Sequence, residues 1–272
     1  MMRMKKLLPF FAVICLFVAA LAIFSCGSGQ AARARVKEQN ELFYQNALQS
    51  QRYELPFFST DKNRQIVQRL GYALCYDEKR EQADWVAYTL DAAKLEKNAK
   101  RTNDFREDYD IVTGSAVLDD YRRSGYDRGH LAPAGDMAYS QQTMSESFLL
   151  SNISPQPHAF NEGVWNSLEQ HFRNLAKKHE KIYVATGPVF EKVSYPTIGP
   201  NKVAVPEYFY KAALIQDGDE FKMEAYIIPA SAGKEDYKKY RVSVDQIEKR
   251  TGIDFFYLLD DALENKLEAS VE

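Results

Sequence analysis

Hydrophobic positions along this 272-residue chain form one unbroken run near the N-terminus and then shorter runs with strand or helix periods. The unbroken run extends from Leu7 to Phe24, with only Pro9 to interrupt it. Residues 27–39 are small and polar, then charged, which reads as a tether. Residues 36–52 scatter apolar positions through a polar background and predict a helix leading into a domain. Gly71 to Tyr76 reads as a buried strand and Asp84 to Leu90 as its partner, joined by the charged turn Asp77 to Gln82. Residues 91–125 are polar, turn-rich and almost without period. Tyr126 to Met137, with Gly129, Pro133 and Gly135, reads as a strand end and loop. From Asn161 to Lys178 the apolar positions Val164, Trp165, Leu168, Phe172, Leu175 and Ala176 keep helical spacing, with Asn161 at the start, where asparagine usually caps. Lys181 to Pro188 is a strand closed by a glycine-proline break. Tyr208 to Gln216 and Phe221 to Pro229 are two longer strand runs around the turn Asp217-Gly218-Asp219. Ser243 caps a helix from Val244 to Arg250 that Gly252 stops. Strands dominate and helices are inserted, so the expected class is α+β on a mixed or antiparallel sheet, in one domain over residues 53–272.

The N-terminus changes the picture of where this domain works. Arg3, Lys5 and Lys6 precede the apolar run, the pattern of a secretory signal. The run is also near the length that spans a bilayer, which makes a retained anchor the alternative. Ile23-Phe24-Ser25-Cys26-Gly27 resembles a bacterial lipobox, in which Cys26 becomes the lipidated first residue. Lipoprotein, cleaved signal and anchor are the three readings of residues 1–26, and each exports the rest. Residues 27–52 are then tether and leading helix. Cys15 lies within the run, so the domain keeps Cys75 alone, which excludes an internal disulfide or a cysteine zinc site. Its flanks make it a small apolar core residue. Without Arg3, Lys5 and Lys6 the chain holds 32 basic against 38 acidic residues, a net −6. A protein gripping DNA through many phosphates shows a basic footprint, so the basic groups here must be local to one cleft or the binding weak and site-driven.

The chemistry concentrates in Asp127-Arg128-Gly129-His130, with Asn161 and Glu169 downstream. A neutral histidine can deprotonate water near neutral pH, which makes His130 a candidate base. Arg128 carries the planar fork suited to a phosphate. Gly129 is expected to let the backbone turn tightly and a phosphate come close. Eight residues along a regular helix put Glu169 roughly 80° beyond two turns and ~12 Å up from Asn161, on an adjoining face and leaning back toward it. One amide oxygen plus several waters suits a hard, hydrated cation. Trp165 and Leu168 read as core. Asp127 reads as a brace for the loop in preference to a metal ligand. His158 lies one turn before Asn161 and is assigned no role; His171 and His179 are expected to face solvent.

Tyr126-Asp127-Arg128-Gly129-His130-Leu131-Ala132-Pro133-Ala134 closely resembles the signature of the DNA/RNA non-specific endonucleases, the endonuclease G-like ββα-metal nucleases. The resemblance extends to Arg101 with Phe105 and Asp108, and to Asn152 in Asn-Ile-Ser-Pro-Gln. It includes Asn161, Trp165 and Leu168-Glu169, then Val184 to Phe190 and Thr251 to Phe256, covering about residues 68–262. It implies a ββα-metal nuclease fold with a central mixed or antiparallel sheet flanked by helices. It implies His130 as general base and Asn161 as the sole direct protein ligand of one Mg2+ ion, Mn2+ being the other candidate. Glu169 would hold metal-bound waters, Arg128 and Arg101 would bind phosphate or stabilise the pentacovalent state, and Asn152 would orient the site. DNA and RNA would be the substrates, gripped by the backbone and left with 5′-phosphate and 3′-hydroxyl ends. The membrane would be met through a lipid or an anchor, and the choice between monomer and homodimer stays open. A phosphodiesterase on another substrate, and a surface lipoprotein that binds nucleic acid without cutting, are the competing readings; a pure binder has no use for a general base.

Overall fold

The computed structural model describes residues 31–58 and 64–271. The signal or anchor run, the lipobox with Cys26 and residues 27–30 of the tether lie outside the described residues. Among those described, no helix is long and apolar enough to cross a membrane.

A seven-stranded sheet forms the centre, in the order β1 (Arg64–Gln68), β2 (Ala73–Asp77), β3 (Gln82–Leu90), β6 (Lys181–Val189), β9 (Tyr208–Asp217), β10 (Glu220–Pro229) and β11 (Arg241–Val242). Two short ribbons stand apart: β4 (Asp127–His130) with β5 (Ile153–Gln156), and β7 (Thr197–Ile198) with β8 (Val203–Ala204). Every one of these pairings is antiparallel, which settles the choice left open between mixed and antiparallel. The central strands are buried on both faces, because side chains alternate and helices cover each side. Leu74, Tyr76, Val86, Tyr88, Ile182 and Val184 meet one apolar cluster; Cys75, Trp85, Ala87, Tyr183 and Ala185 meet the other. The helices are α1 (31–49), α2 (Leu118–Tyr121), α3 (Gln141–Glu146), α4 (His158–Phe160), α5 (Asn166–Lys178), α6 (Val244–Thr251) and α7 (Asp261–Glu268). Leu168, Phe172, Leu175 and Ala176 of α5 cover the first face. Ala47 of α1, Val244 and Ile247 of α6, and Leu263 and Leu267 of α7 cover the second. Each large apolar side chain so enclosed contributes about 1.5–3 kcal/mol.

The differences from the hydropathy pattern have local causes. The leading helix is already formed at residue 31 and ends at 49, so part of the expected tether is helical. Asn40 docks it on the sheet edge, donating to Arg64 O at 2.6 Å and accepting from Ile66 N at 3.0 Å. The strand read from Gly71 begins at Ala73, since Gly71 turns against Met137, whose Sδ would lie 2.6 Å from any Cβ there. The segment expected to be helical from Asn161 starts earlier, at His158, and passes through a wide turn over Asn161–Trp165 before α5. Gly163 breaks the regular path with φ −99° and ψ −112°, and Val164 N donates to Gly233 O at 2.8 Å instead of to its own helix. A Cβ on Gly163 would sit 2.6 Å from that oxygen. Asn161 is therefore helical in backbone (φ −59°, ψ −50°), at the end of α4 and not an N-cap, and the two-turn relation to Glu169 does not apply. His171 and His179 do not face solvent either. His171 Nε2 lies 2.7 Å from Glu224 Oε2 with its ring stacked on Tyr237, and His179 pairs with Asp217.

Docking α7 on α6 brings carboxylates together. Asp245, Glu248 and Glu268 form one group, and Asp254, Glu264 and Glu268 another, with ligand oxygens within 4.8 Å in each. Burial, helped by the neighbouring carboxylates, pushes Glu248 and Glu264 up to about 7 and Glu268 up to about 8. The folded chain thus holds these protons more tightly than the unfolded chain. Their stabilisation is full below the ordinary value of 4.5 and is lost as pH rises through about 7–8. Glu268→Gln should raise the Tm above about pH 8 by about 2–4 °C, the shift that ~1 kcal/mol produces, and leave it unchanged near pH 5. Calorimetry at the two pH values checks this; equal shifts at both would contradict it.

Candidate active site

The sequence Asp127-Arg128-Gly129-His130 is a strand, and its partner β5 fixes where each side chain goes. Register pairs Arg128 with Pro155, Gly129 with Ser154 and His130 with Ile153. Gly129 serves packing here, not a tight turn or a close phosphate. The space a Cβ would fill is taken by the Gln156 side chain. Immediately after the strand, the chain is clamped by Asn152, which is fully buried. Its Oδ1 accepts from Ala132 N at 2.9 Å, while its Nδ2 donates to Ala132 O at 3.0 Å and Ser147 O at 2.8 Å. Its carbonyl accepts from Leu131 N at 3.0 Å. The amide is spent on backbone and orients the site from behind, without facing it.

That clamp sets His130 beside Phe148, the residue after Ser147. The two rings meet edge to face at 4.9 Å, and Phe105 lies 5.5 Å from His130 and 4.8 Å from Phe148. Each phenylalanine also carries an arginine: Arg128 Cζ stands 4.2 Å from the Phe105 centroid and Arg101 Cζ 4.9 Å from that of Phe148. Such contacts contribute about 0.5–1 kcal/mol each at exposed sites. Among the described residues neither guanidinium is in an ion pair, so both keep their charge for an anion. His130 Nε2 is buried and has no hydrogen-bond partner. Burial first, then the charges of Arg101 and Arg128, push the imidazole down to about 3. The ring is therefore neutral at any ordinary pH and able to accept a proton.

A cleft of about 590 Å³ opens beside this group, lined by Arg101, Asn103, Phe105, Tyr126, Asp127, Arg128 and Asn161 among others. Asp127 Oδ2 accepts from Asn161 Nδ2 at 3.0 Å and meets His158 Nδ1 at 2.9 Å. With its nitrogen held by a carboxylate, Asn161 has, among the described residues, its Oδ1 left as a free acceptor on the cleft wall. Asp127 thus braces a side chain as well as the loop, and His158 joins the site as the brace's second partner. Glu169 does not line the cleft. It lies inward, 3.9 Å from Arg173 Nη2, where its charge favours that of Arg101. Arg101 is the side chain that links the parts, lining the cleft and acting on both His130 and Glu169.

A family model for DNA/RNA non-specific endonucleases matches residues 49–262. The chain belongs to that family. Human mitochondrial endonuclease G is 36% identical over 205 residues, covering 70% of this chain and 69% of that protein. The mitochondrial nuclease EXOG of Xenopus laevis is 33% identical over 259 residues, covering 89% and 69% respectively. A solved chain from the EndoG/EndoGI complex superposes with a TM-score of 0.70 at 32% identity, over 78% of this chain and 93% of that one. Membership makes this a hydrolase of the nuclease class with an α+β fold.

In this non-specific endonuclease, sequence reasoning missed Phe148, which packs on His130 and Arg101, and the buried charge of Lys211 on β9. Phe148 sits in a stretch with no motif, and Lys211 in an apolar strand where a lone charge gives no periodic signal. Burial, with the charges of the two arginines added to it, should keep the imidazole unprotonated. By NMR, the His130 ring is expected to stay neutral far below the 6.5 of an ordinary imidazole, and Arg101→Ala or Arg128→Ala to move its titration upward. An ordinary titration in the parent chain would contradict that cause.

Proposed function

We propose that the chain is an exported, Mg2+-dependent endonuclease that hydrolyses DNA and RNA with little sequence preference. The observation that carries this reading is a neutral, buried histidine flanked by Arg101 and Arg128, which line a cleft together with Asn161 and form no ion pair among the described residues. A phosphodiester anion is drawn between Arg128 and Arg101, whose forks can each hold two of its oxygens. Its negative charge offsets the two positive charges that depress His130, so substrate binding itself makes the imidazole a stronger base. His130 then takes the proton of the attacking water. Recognition would rest on the sugar-phosphate backbone, which suits both nucleic acids. The donor set fits a hard cation: Asn161 Oδ1 offers one neutral oxygen without another partner, and the Glu169 carboxylate is a fitting acceptor for waters around such an ion. Mg2+ bound there would neutralise charge on the phosphate and on the leaving 3′ oxygen.

Loss of the base should cost about 10²–10⁴-fold in rate. His130→Ala is expected to show that loss on a fluorescent oligonucleotide while retaining metal binding. Asn161→Ala should lose both metal binding and activity. Undiminished cleavage by His130→Ala would mean that another group activates the water. The acidic balance of the chain favours one alternative, a smaller phosphodiester as substrate, which the same assay tests with a dinucleotide.

Export and attachment through Cys26 belong to the same proposal, on the strength of the basic, apolar and Phe24-Ser25-Cys26 pattern. Cys26→Ser should release the domain from the membrane fraction. Retention would point to the apolar run as an anchor.

A further inference from the structure

A chain of charged and polar groups lies behind the cleft, and the reaction as drawn uses only one of its members. Lys211 on β9 is fully enclosed. Its Nζ donates to Tyr88 Oη at 3.3 Å and lies 5.3 Å from the Trp165 centroid and 5.7 Å from that of Phe172. Trp165 and Phe172 stand four residues before and three residues after Glu169, which puts all three on one stripe of the helix. The ammonium is therefore seated against the stretch that bears Glu169. Tyr88 Oη donates onward to Asp136 Oδ2 at 3.0 Å. Asp136 Oδ1 accepts from Arg173 Nη1 at 2.6 Å, and Arg173 Nη2 returns to Glu169 Oε2 at 3.9 Å. Lys211, Tyr88, Asp136, Arg173 and Glu169 thus form one chain of polar groups, with Lys211 at one end and Glu169 at the other. The Lys211 charge is also the largest influence opposing the burial that pushes the Glu169 carboxyl up.

Burying an ammonium costs several kcal/mol unless its partners repay it, and an apolar side chain would fill this core position at no such cost. We propose that Lys211 is a positioning residue, which, steadied by Tyr88, holds the Glu169 carboxylate in place for the water shell of a cation at Asn161. This rests on the metal-dependent reading above and adds a residue that acts only through Glu169.

The test is a double-variant cycle on the intact chain, using Lys211→Met and Glu169→Gln, with Mn2+ affinity by titration calorimetry and oligonucleotide cleavage as readouts. Each single change is expected to weaken Mn2+ binding and turnover by about ten-fold or more, the range that groups behind metal ligands command. In the Glu169→Gln chain, adding Lys211→Met should change either readout by less than about two-fold, because its target is gone. Losses that multiply in the double variant, with parental Tm in each single one, would overturn the proposal. So would parental Mn2+ affinity in Lys211→Met. Should Lys211→Met fail to fold, Tyr88→Phe enters the same cycle, since it removes only the hydroxyl that Lys211 and Asp136 share. The expected Mn2+ cycle without cleavage of DNA or RNA would uphold the positioning role and overturn the endonuclease reading.

Discussion

The Asn152 side chain fixes the junction on which His130 and Phe148 stand. Its amide bonds both backbone groups of Ala132 and the carbonyl of Ser147, tying the exit of β4 to the end of α3. In a fully buried setting, leaving such partners unpaired costs ~1–3 kcal/mol each, so the junction is held in one arrangement. His130 precedes that junction at the end of β4 and Phe148 follows Ser147 in the turn after α3, which is why their rings touch. Phe105 and the two arginines then assemble on this pair. The bracket around His130 is a consequence of backbone hydrogen bonding several residues away.

The electrostatics follow from the same geometry. A chain with net negative charge still presents two cationic groups on its cleft, because among the described residues Arg101 and Arg128 are supported by rings and not by carboxylates. Burial keeps the histidine neutral, and their charge adds to that effect. The inner carboxylates have their own cations, Arg173 and Lys211, on the sheet side of α5. Acid on the inside is therefore balanced locally, and the outer arginines remain available. The charge of the whole chain says little about its cleft.

Much of this was legible in the sequence, and the illegible parts share a physical cause. The central strands and the apolar face of α5 were visible because their periods reflect burial directly. His130, Arg128, Arg101, Asn161 and Glu169 were visible through their likeness to a family pattern. What single residues do there was harder to read. Gly129 makes room for Gln156, and Gly163 admits a backbone contact from Gly233, so that a helix start expected at Asn161 became a kink past it. Strand β5 is four residues long and contains Pro155, and β1 has a single buried position, so neither carries enough pattern to stand out. Lys211, alone in an apolar strand, depends for its meaning on Tyr88, Trp165 and Phe172, which come from other elements.

The measurement that tests the account most directly is nicking of a supercoiled plasmid by the intact chain with Mg2+ or with chelator, followed by ligation without kinase or phosphatase. The account predicts nicks only in the presence of the metal, and nicks that a ligase reseals, since water attack with departure of the 3′ oxygen leaves a 5′-phosphate and a 3′-hydroxyl. Nicking in chelator, or nicks that cannot be resealed until a 3′-phosphate is removed, would contradict it.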